Sequence, residues 1–218
     1  MEAGSVTKIR SPKVRRTQAE RTTDTKRALI DATIAVIHRL GYGGATTALI
    51  AEEAGVSRGA ILHHFGTRAV LMAEVIRDVF EKERAQYDRL DAESHLGHKV
   101  SDWPAMLWQV FRQPSGLAVL EILQAARSDA ELSELVTSTQ QAIEDLAQDS
   151  MTATYGSTRD PIFMDEMRLI VWAIRGLSIA QVLVKDPEEI GGSVALFSRI
   201  LQAADEAGVF LPKQKPGR

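Results

Sequence analysis

The sequence predicts an all-α protein in two parts, a small three-helix unit at the N-terminus and a larger helical body behind it. Three observations carry this. Leu29, Ala32, Thr33, Val36, Ile37 and Leu40 fall at the i, i+3, i+4, i+7, i+8 spacing of one buried helix face. Period-two alternation is missing and β-branched runs are few. Gly, Pro, Ser, Thr and Asp punctuate the chain at helix-length intervals.

Residues 1–21 read as a flexible basic arm, because Gly4, Ser5, Ser11 and Pro12 mix with Lys8, Arg10, Lys13, Arg15 and Arg16 without apolar periodicity. A helix follows from Thr23 to Leu40, stopped by Gly41 and Gly43. The second helix starts at Thr46 or Thr47, either of which can cap it, and runs to Ala54, where Gly55 breaks it. Ser57 is expected to cap the third, Arg58 to His64, and Thr67 the much longer fourth, from Arg68 towards Leu90. Trp103–Phe111, Leu117–Arg127 and Glu131–Met151 continue the helical pattern. Asp160 and Pro161 form a start signal for Phe163–Val184, and Asp186, Pro187, Glu188 and Glu189 repeat it for a last helix reaching about Ala207. Residues 211–218, with Pro212 and Pro216, read as a loose tail. The expected division is therefore arm 1–21, three-helix unit 22–67, body 68–210 and tail 211–218.

The chain of 218 residues has no cysteine, which removes disulfides, thiolate metal sites and cysteine nucleophiles. No apolar run approaches the roughly 20 residues of a membrane span, and charges stand where a signal peptide would be apolar. A cytoplasmic protein without membrane attachment is expected. The net charge of -3 hides an asymmetry: residues 1–77 hold 12 Lys and Arg against 7 Asp and Glu, while residues 78–218 hold 14 against 22. A basic head on an acidic body suits a nucleic-acid-binding module attached to a part that should not bind it.

The informative segment is Thr46–Phe65, TTALIAEEAGVSRGAILHHF. Two helices crossing steeply need a small residue at the contact, which is Ala51, and one tolerant of φ > 0 in the turn, which is Gly55. Ile50, Val56 and Ile61 would close the small core beneath. Ser57, Arg58, Gly59, Ala60, His63 and His64 then form the expected exposed face of the third helix, small or hydrogen-bonding groups able to approach base edges and phosphates.

The ordered series from Lys26–Tyr42, KRALIDATIAVIHRLGY, through Thr47, Ala51, Ala54, Gly55, Val56 and Ser57 to HHF, Gly66, Thr67, Arg68 and Leu71 resembles the TetR family of repressors over roughly residues 22–80. The resemblance implies an N-terminal helix-turn-helix DNA-binding domain and a C-terminal helical domain for ligand binding and dimerisation. It implies a homodimer on a pseudo-palindromic operator in double-stranded DNA, with Thr47, Ser57 and His64 on phosphates and Arg58, Gly59 and Ala60 facing bases. His63 is placed beside them. Arg68 stands where the family usually has Lys and remains a competent phosphate ligand. Leu62 stands where the family often has Tyr, so one common phosphate contact is missing.

In the body, Trp103, Met106, Trp108 and Phe111, with Phe163, Met164, Met167 and Trp172, either line an apolar pocket for a small hydrophobic or aromatic effector or simply pack. Arg112, Arg127, Arg168 and Arg175 lie in apolar helices and either pair structurally or meet an acidic group on a ligand; Arg168 and Arg175 are carried as ligand candidates. Asp91, His95 and His98 have a spacing that would align three ligands on a helix, but Gly97 and polar surroundings favour a loop. His63 and His64 project about 100° apart on a helix. Neither metal nor cofactor is expected. No Gly-x-Ser-x-Gly elbow, Gly-rich phosphate loop or His-Glu-x-x-His pattern occurs, so no catalytic role is expected. The expected function is a ligand-responsive repressor. The alternatives are a helix-turn-helix regulator without a small-molecule effector, controlled by a protein partner or acting as an activator, and a helical enzyme, which would need a catalytic set. The last two long helices, Asp165–Val184 and Pro187–Ala207, are expected to form a two-fold dimer: Ile170, Ala173, Ile174, Leu177, Ala180, Val184, Leu196, Ile200 and Ala203 lie on more than one face, so that one face can cover the core and the other a partner.

Overall fold

Helix α1, Gln18–Gly44, starts at a capping box: the Thr17 hydroxyl accepts the Glu20 N–H and the Glu20 carboxylate accepts the Thr17 N–H. It therefore begins inside the segment expected to be an arm, because capping, and not apolar periodicity, fixes its first turn. The computed structural model describes residues 17–94, 99–155, 161–186 and 188–209, and of residues 91–94, 150–155 and 161–163 the backbone alone. Residues 1–16 of the expected arm, the tail 211–218, His95, His98 and the side chains of Asp91 and Phe163 lie outside the described residues.

Gly41, at φ 74° and ψ 164°, breaks α1 three residues before its end, in a conformation that disfavours any side chain with a Cβ. Then follow α2 (Thr47–Glu53), α3 (Gly59–Phe65), α4 (Arg68–Ser94), a 3₁₀ turn (Val100–Asp102), α5 (Trp103–Phe111), α6 (Pro114–Ala125), α7 (Ala130–Tyr155), α8 (Pro161–Ala180) and α9 (Glu188–Glu206). No strand occurs among the described residues. Each expected helix is present, with shifted ends. Helix α6 starts earlier because Pro114 occupies its first turn, and α8 ends at Ala180, where Gln181 to Val184 turn out of the helix.

Two apolar clusters form the interior. The first joins Leu29, Val36 and Ile37 of α1, Ile50 and Ala51 of α2, and Ile61 and Phe65 of α3 to Leu71, Met72 and Val75 of α4. It also includes Ala118, Val119 and Ile122 of α6 and Leu132 and Val136 of α7. This core crosses the 67/68 boundary expected from sequence. The three short-range helices are too few to close a core alone, and α6 laid along α1, with α7 along α4, completes it. The second cluster holds Trp103, Met106, Trp108, Val110 and Phe111 of α5, Met167, Ile170 and Ile174 of α8, and Ile190, Val194 and Leu201 of α9.

On α8 the residues at helical spacing 167, 170, 174 and 178 point inward, which leaves Leu169 and Trp172 exposed on the other side. Of the apolar residues expected on the core and partner faces of the last two helices, Ile170 and Ile174 lie on the core face, while Leu196 and Ile200 are exposed. No described helix is long and apolar enough to cross a membrane.

Candidate functional site

The N-terminal unit is closed by α2 and α3. Of the two threonines able to cap α2, Thr46 does so, its hydroxyl accepting the Leu49 N–H at 3.3 Å, and Thr47 is left exposed at the first helical position. Ala51 is 1% exposed where the helices meet, and its carbonyl accepts the Val56 N–H at 3.0 Å across the turn. Gly55 takes φ 66° there. The Ser57 side chain does not cap α3 as expected: the cap position is Arg58, without a side-chain hydrogen bond, and the Ser57 carbonyl accepts the Ala60 N–H.

The outer face of α3 differs from the expected one by a rotation. Ser57, Arg58, Gly59 and His63 are exposed, but Ala60 packs half-buried against the first cluster and His64 is also half-buried. Ile61 and Phe65 anchor the helix, and Leu62, about 100° from Ile61 and about 60° from Phe65, lies outside the buried side. Its side chain is 70% exposed, between Arg58 and Gly59 on one side and His63 and Gly66 on the other. From sequence this position is only the place of a missing phosphate contact. The His63 and His64 rings meet edge to face at 4.8 Å. Burial, followed by the charges of His63 and Lys26, lowers the pKa of His64 and favours its neutral ring. Lys26, exposed on α1, stands 5.8 Å above the Phe65 ring and adds positive charge beside the end of α3. No spacing signal in the sequence connects it to that helix.

Arg68 is engaged within the protein. Its Nε donates to the Ala45 carbonyl at 3.3 Å, Nη1 to the Tyr42 hydroxyl at 2.7 Å and Nη2 to the Tyr42 carbonyl at 2.8 Å. The guanidinium also lies 4.1 Å from the centre of the Tyr42 ring. Arg68 thus ties the start of α4 to the end of α1, a structural task beside the phosphate contact expected of it. The Tyr42 N–H, freed by the break at Gly41, is taken by the Glu121 carboxylate of α6, and Thr67 donates to Glu131 of α7 at 2.7 Å. Three contacts therefore join the head to the body around Tyr42 and Thr67.

The candidate ligand residues of the body separate into two groups. Trp103, Met106, Trp108, Phe111 and Met167 meet in the second cluster. Trp172 and Arg168 do not: Trp172 is 47% exposed, and Arg168, also outward, pairs with Glu144 at 2.9 Å and Asp165 at 3.7 Å. Both occupy the side of α8 opposite Ile170 and Ile174. Arg112 reaches Glu188 at 3.8 Å, also at the surface. Arg175 turns inward, its guanidinium 3.9 Å from the centre of the Phe111 ring and 3.6 Å from Glu83 of α4. Glu83 is 5% exposed, and neither its Oε1 nor the Nη1 of Arg175 has a hydrogen-bond partner among the described residues. Burial pushes the Glu83 carboxyl up to about 7 against the opposing pull of Arg175. Burial and then the Glu83 charge raise the Tyr87 phenol, one turn along α4.

A family model described as bacterial regulatory proteins, tetR family, matches residues 29–75. The HTH-type transcriptional regulator CymR of Pseudomonas putida is 32% identical over 185 residues, 82% of this chain and 89% of its own. The HTH-type transcriptional regulator BetI of Vibrio vulnificus (strain YJ016) is 41% identical over 75 residues, 34% of this chain and 33% of its own. Among solved structures, a TetR transcription regulator from Haloarcula marismortui shares the fold with a TM-score of 0.60 at 17% identity, over 83% of this chain and 98% of its own. The multidrug binding protein EbrR, complexed with imidazole, aligns with a TM-score of 0.53 at 20% identity, over 79% of this chain and 93% of its own.

Proposed function

The chain belongs to the TetR family of bacterial regulatory proteins, and from that premise we propose that it is a cytoplasmic, ligand-responsive repressor that binds a pseudo-palindromic operator as a homodimer. It is a transcriptional regulator with a DNA-binding helix-turn-helix, and not an enzyme. On DNA, α3 enters the major groove with Arg58, Gly59, Leu62 and His63 towards the bases, while Thr47, Ser57 and Lys26 approach phosphates. His64 reaches a phosphate from the flank of the helix, and Arg68, half-buried, holds the head in shape. Ala60 acts through packing.

The observation that carries ligand response is the buried Glu83 and Arg175, each with one unpartnered polar atom beside the apolar cluster of α5, α8 and α9. Unpaired buried polar groups are costly, so a site that holds them favours a guest able to bond them. An effector with an apolar or aromatic body and one polar or acidic group meets this description, with Arg175 as its polar partner. EbrR, of the same fold, was solved with a small heteroaromatic molecule, imidazole. Homodimerisation is supported by exposed Leu169 and Trp172 of α8 with Leu196 and Ile200 of α9, a set of apolar side chains of the kind that oligomer interfaces cover.

The test has two stages. Selection from random duplex DNA should yield a two-fold symmetric site bound far more tightly than random sequence. A panel of apolar and aromatic compounds, with and without acid groups, should then contain members that raise the melting temperature and lower operator affinity, and Arg175→Met should abolish both effects for the acidic members. Compounds that stabilise the protein without changing operator affinity would overturn the ligand-responsive reading.

A further inference from the structure

We infer that Leu62 reads the C5-methyl group of a thymine in the major groove and so sets one position of the operator half-site. The inference rests on the DNA-binding reading above and names what one residue of that surface recognises.

The observations are local. Leu62 is 70% exposed, while its neighbours Ile61 and Phe65 are 3% and 8% exposed and lock the rotation of α3. The residues that share its face are Arg58, Gly59, His63 and Gly66, all exposed. Two of these are glycines, and a Cβ placed on either would meet nothing within 4 Å, so the backbone beside Leu62 is bare and Leu62 supplies the large apolar side chain of this face. The surrounding charge suits a polyanion: Arg58 and His63 stand on the same face, Lys26 lies beside the end of α3, and residues 1–77 carry more Lys and Arg than Asp and Glu.

A leucine pressed into that groove needs an apolar partner. Phosphates, and the edges of guanine, cytosine and adenine in the major groove, present charges, acceptors or donors that a leucine would strip of water and leave unpaired. The thymine methyl group is the apolar feature of the groove. Leu62 therefore favours thymine by contact and disfavours the other bases by desolvation.

The experiment uses the full chain and an operator duplex selected from random DNA. Each thymine of the half-site is replaced in turn by deoxyuridine, which lacks only the methyl group, symmetrically in both halves. With the wild-type protein, one position should lose about fourfold in affinity per half-site, the worth of one buried methyl group. With Leu62→Ala that position should lose its sensitivity to uracil, while every other position responds as in the wild type. Circular dichroism and melting temperature should be unchanged, since the side chain is mostly exposed. Equal uracil sensitivity of the two proteins at every thymine, or none in the wild type, would overturn the inference while leaving DNA binding intact. Failure of the wild type to prefer any duplex would overturn the DNA-binding reading and this inference with it.

Discussion

The Glu121 carboxylate of α6 accepts the Tyr42 N–H at the point where Gly41 breaks α1, while Arg68 of α4 grips the ring, hydroxyl and carbonyl of the same tyrosine. Tyr42 is thus held from two helices of the body at once. Under the ligand-responsive proposal, a movement of α6 or α4 would be passed to the end of α1, and through it to the unit that carries α3. Allosteric coupling in this molecule needs two arrangements of this joint, each preferred by one ligand.

Removing the arginine tests the joint's strength. Arg68→Ala should cost about 2–3 kcal/mol in urea unfolding, because three hydrogen bonds and a ring contact are lost together. Operator and random DNA should be affected alike. Arg68→Lys keeps the charge but not the fork and should recover little of the stability. Full recovery by lysine would show that charge alone matters at this position.

Removing the carboxylate tests the coupling. In Glu121→Ala the Tyr42 N–H is left without its partner, and stability should fall by about 1–2 kcal/mol. Titration of operator DNA with and without effector should show a smaller effector-induced change in affinity than in the wild type. An unchanged ratio would assign the coupling to another contact.

The pH dependence follows from Glu83. Its folded-state carboxyl titrates near 7 and its unfolded one near 4.5, so between these values the folded protein holds a proton that the unfolded chain has released. Stability should therefore fall as pH rises from about 5 to 7, by an amount on the order of 3 kcal/mol, and level off above. Glu83→Gln should flatten this slope in thermal melts across that range. A slope identical to that of the wild type would place its origin elsewhere.

The outer face of α3 can be probed at Gly59. Alanine there meets no atom within 4 Å and has the better helix propensity, so Gly59→Ala should leave stability equal or raise it by up to about 1 kcal/mol. Operator affinity should nevertheless drop, because the methyl group stands on the surface proposed to face DNA. Unchanged affinity would show that this side of α3 does not approach DNA.

The association surface can be probed at α9. The double substitution Leu196→Asp and Ile200→Asp alters two exposed side chains and should give a folded monomer in sedimentation equilibrium. Affinity for the full operator should fall by about a hundredfold or more, as the second half-site no longer binds in concert. A persistent dimer would move the interface off this face.

The sequence by itself determined the order and kind of the helices and the identity of the DNA-binding segment. Both depend on local rules. Helical spacing marked Leu29, Val36 and Ile37 as inward, and the φ of Gly55 and the small Ala51 are requirements of one tight turn. Only the tertiary structure decided which side of each helix is covered. A rotation of α3 by one residue exchanges Ala60 for Leu62 on the outer face, and the anchors that fix it, Ile61 and Phe65, are seated by partners on α1 and α4. Likewise Trp172, Arg168 and Arg175 look alike on the chain, yet α8 turns the first two outward and buries the third against Glu83 and Phe111. The same is true of the interior: α6 and α7, distant in sequence, complete the core of the N-terminal unit. Local pattern records what a residue prefers, whereas burial is settled by neighbours brought together from remote parts of the chain.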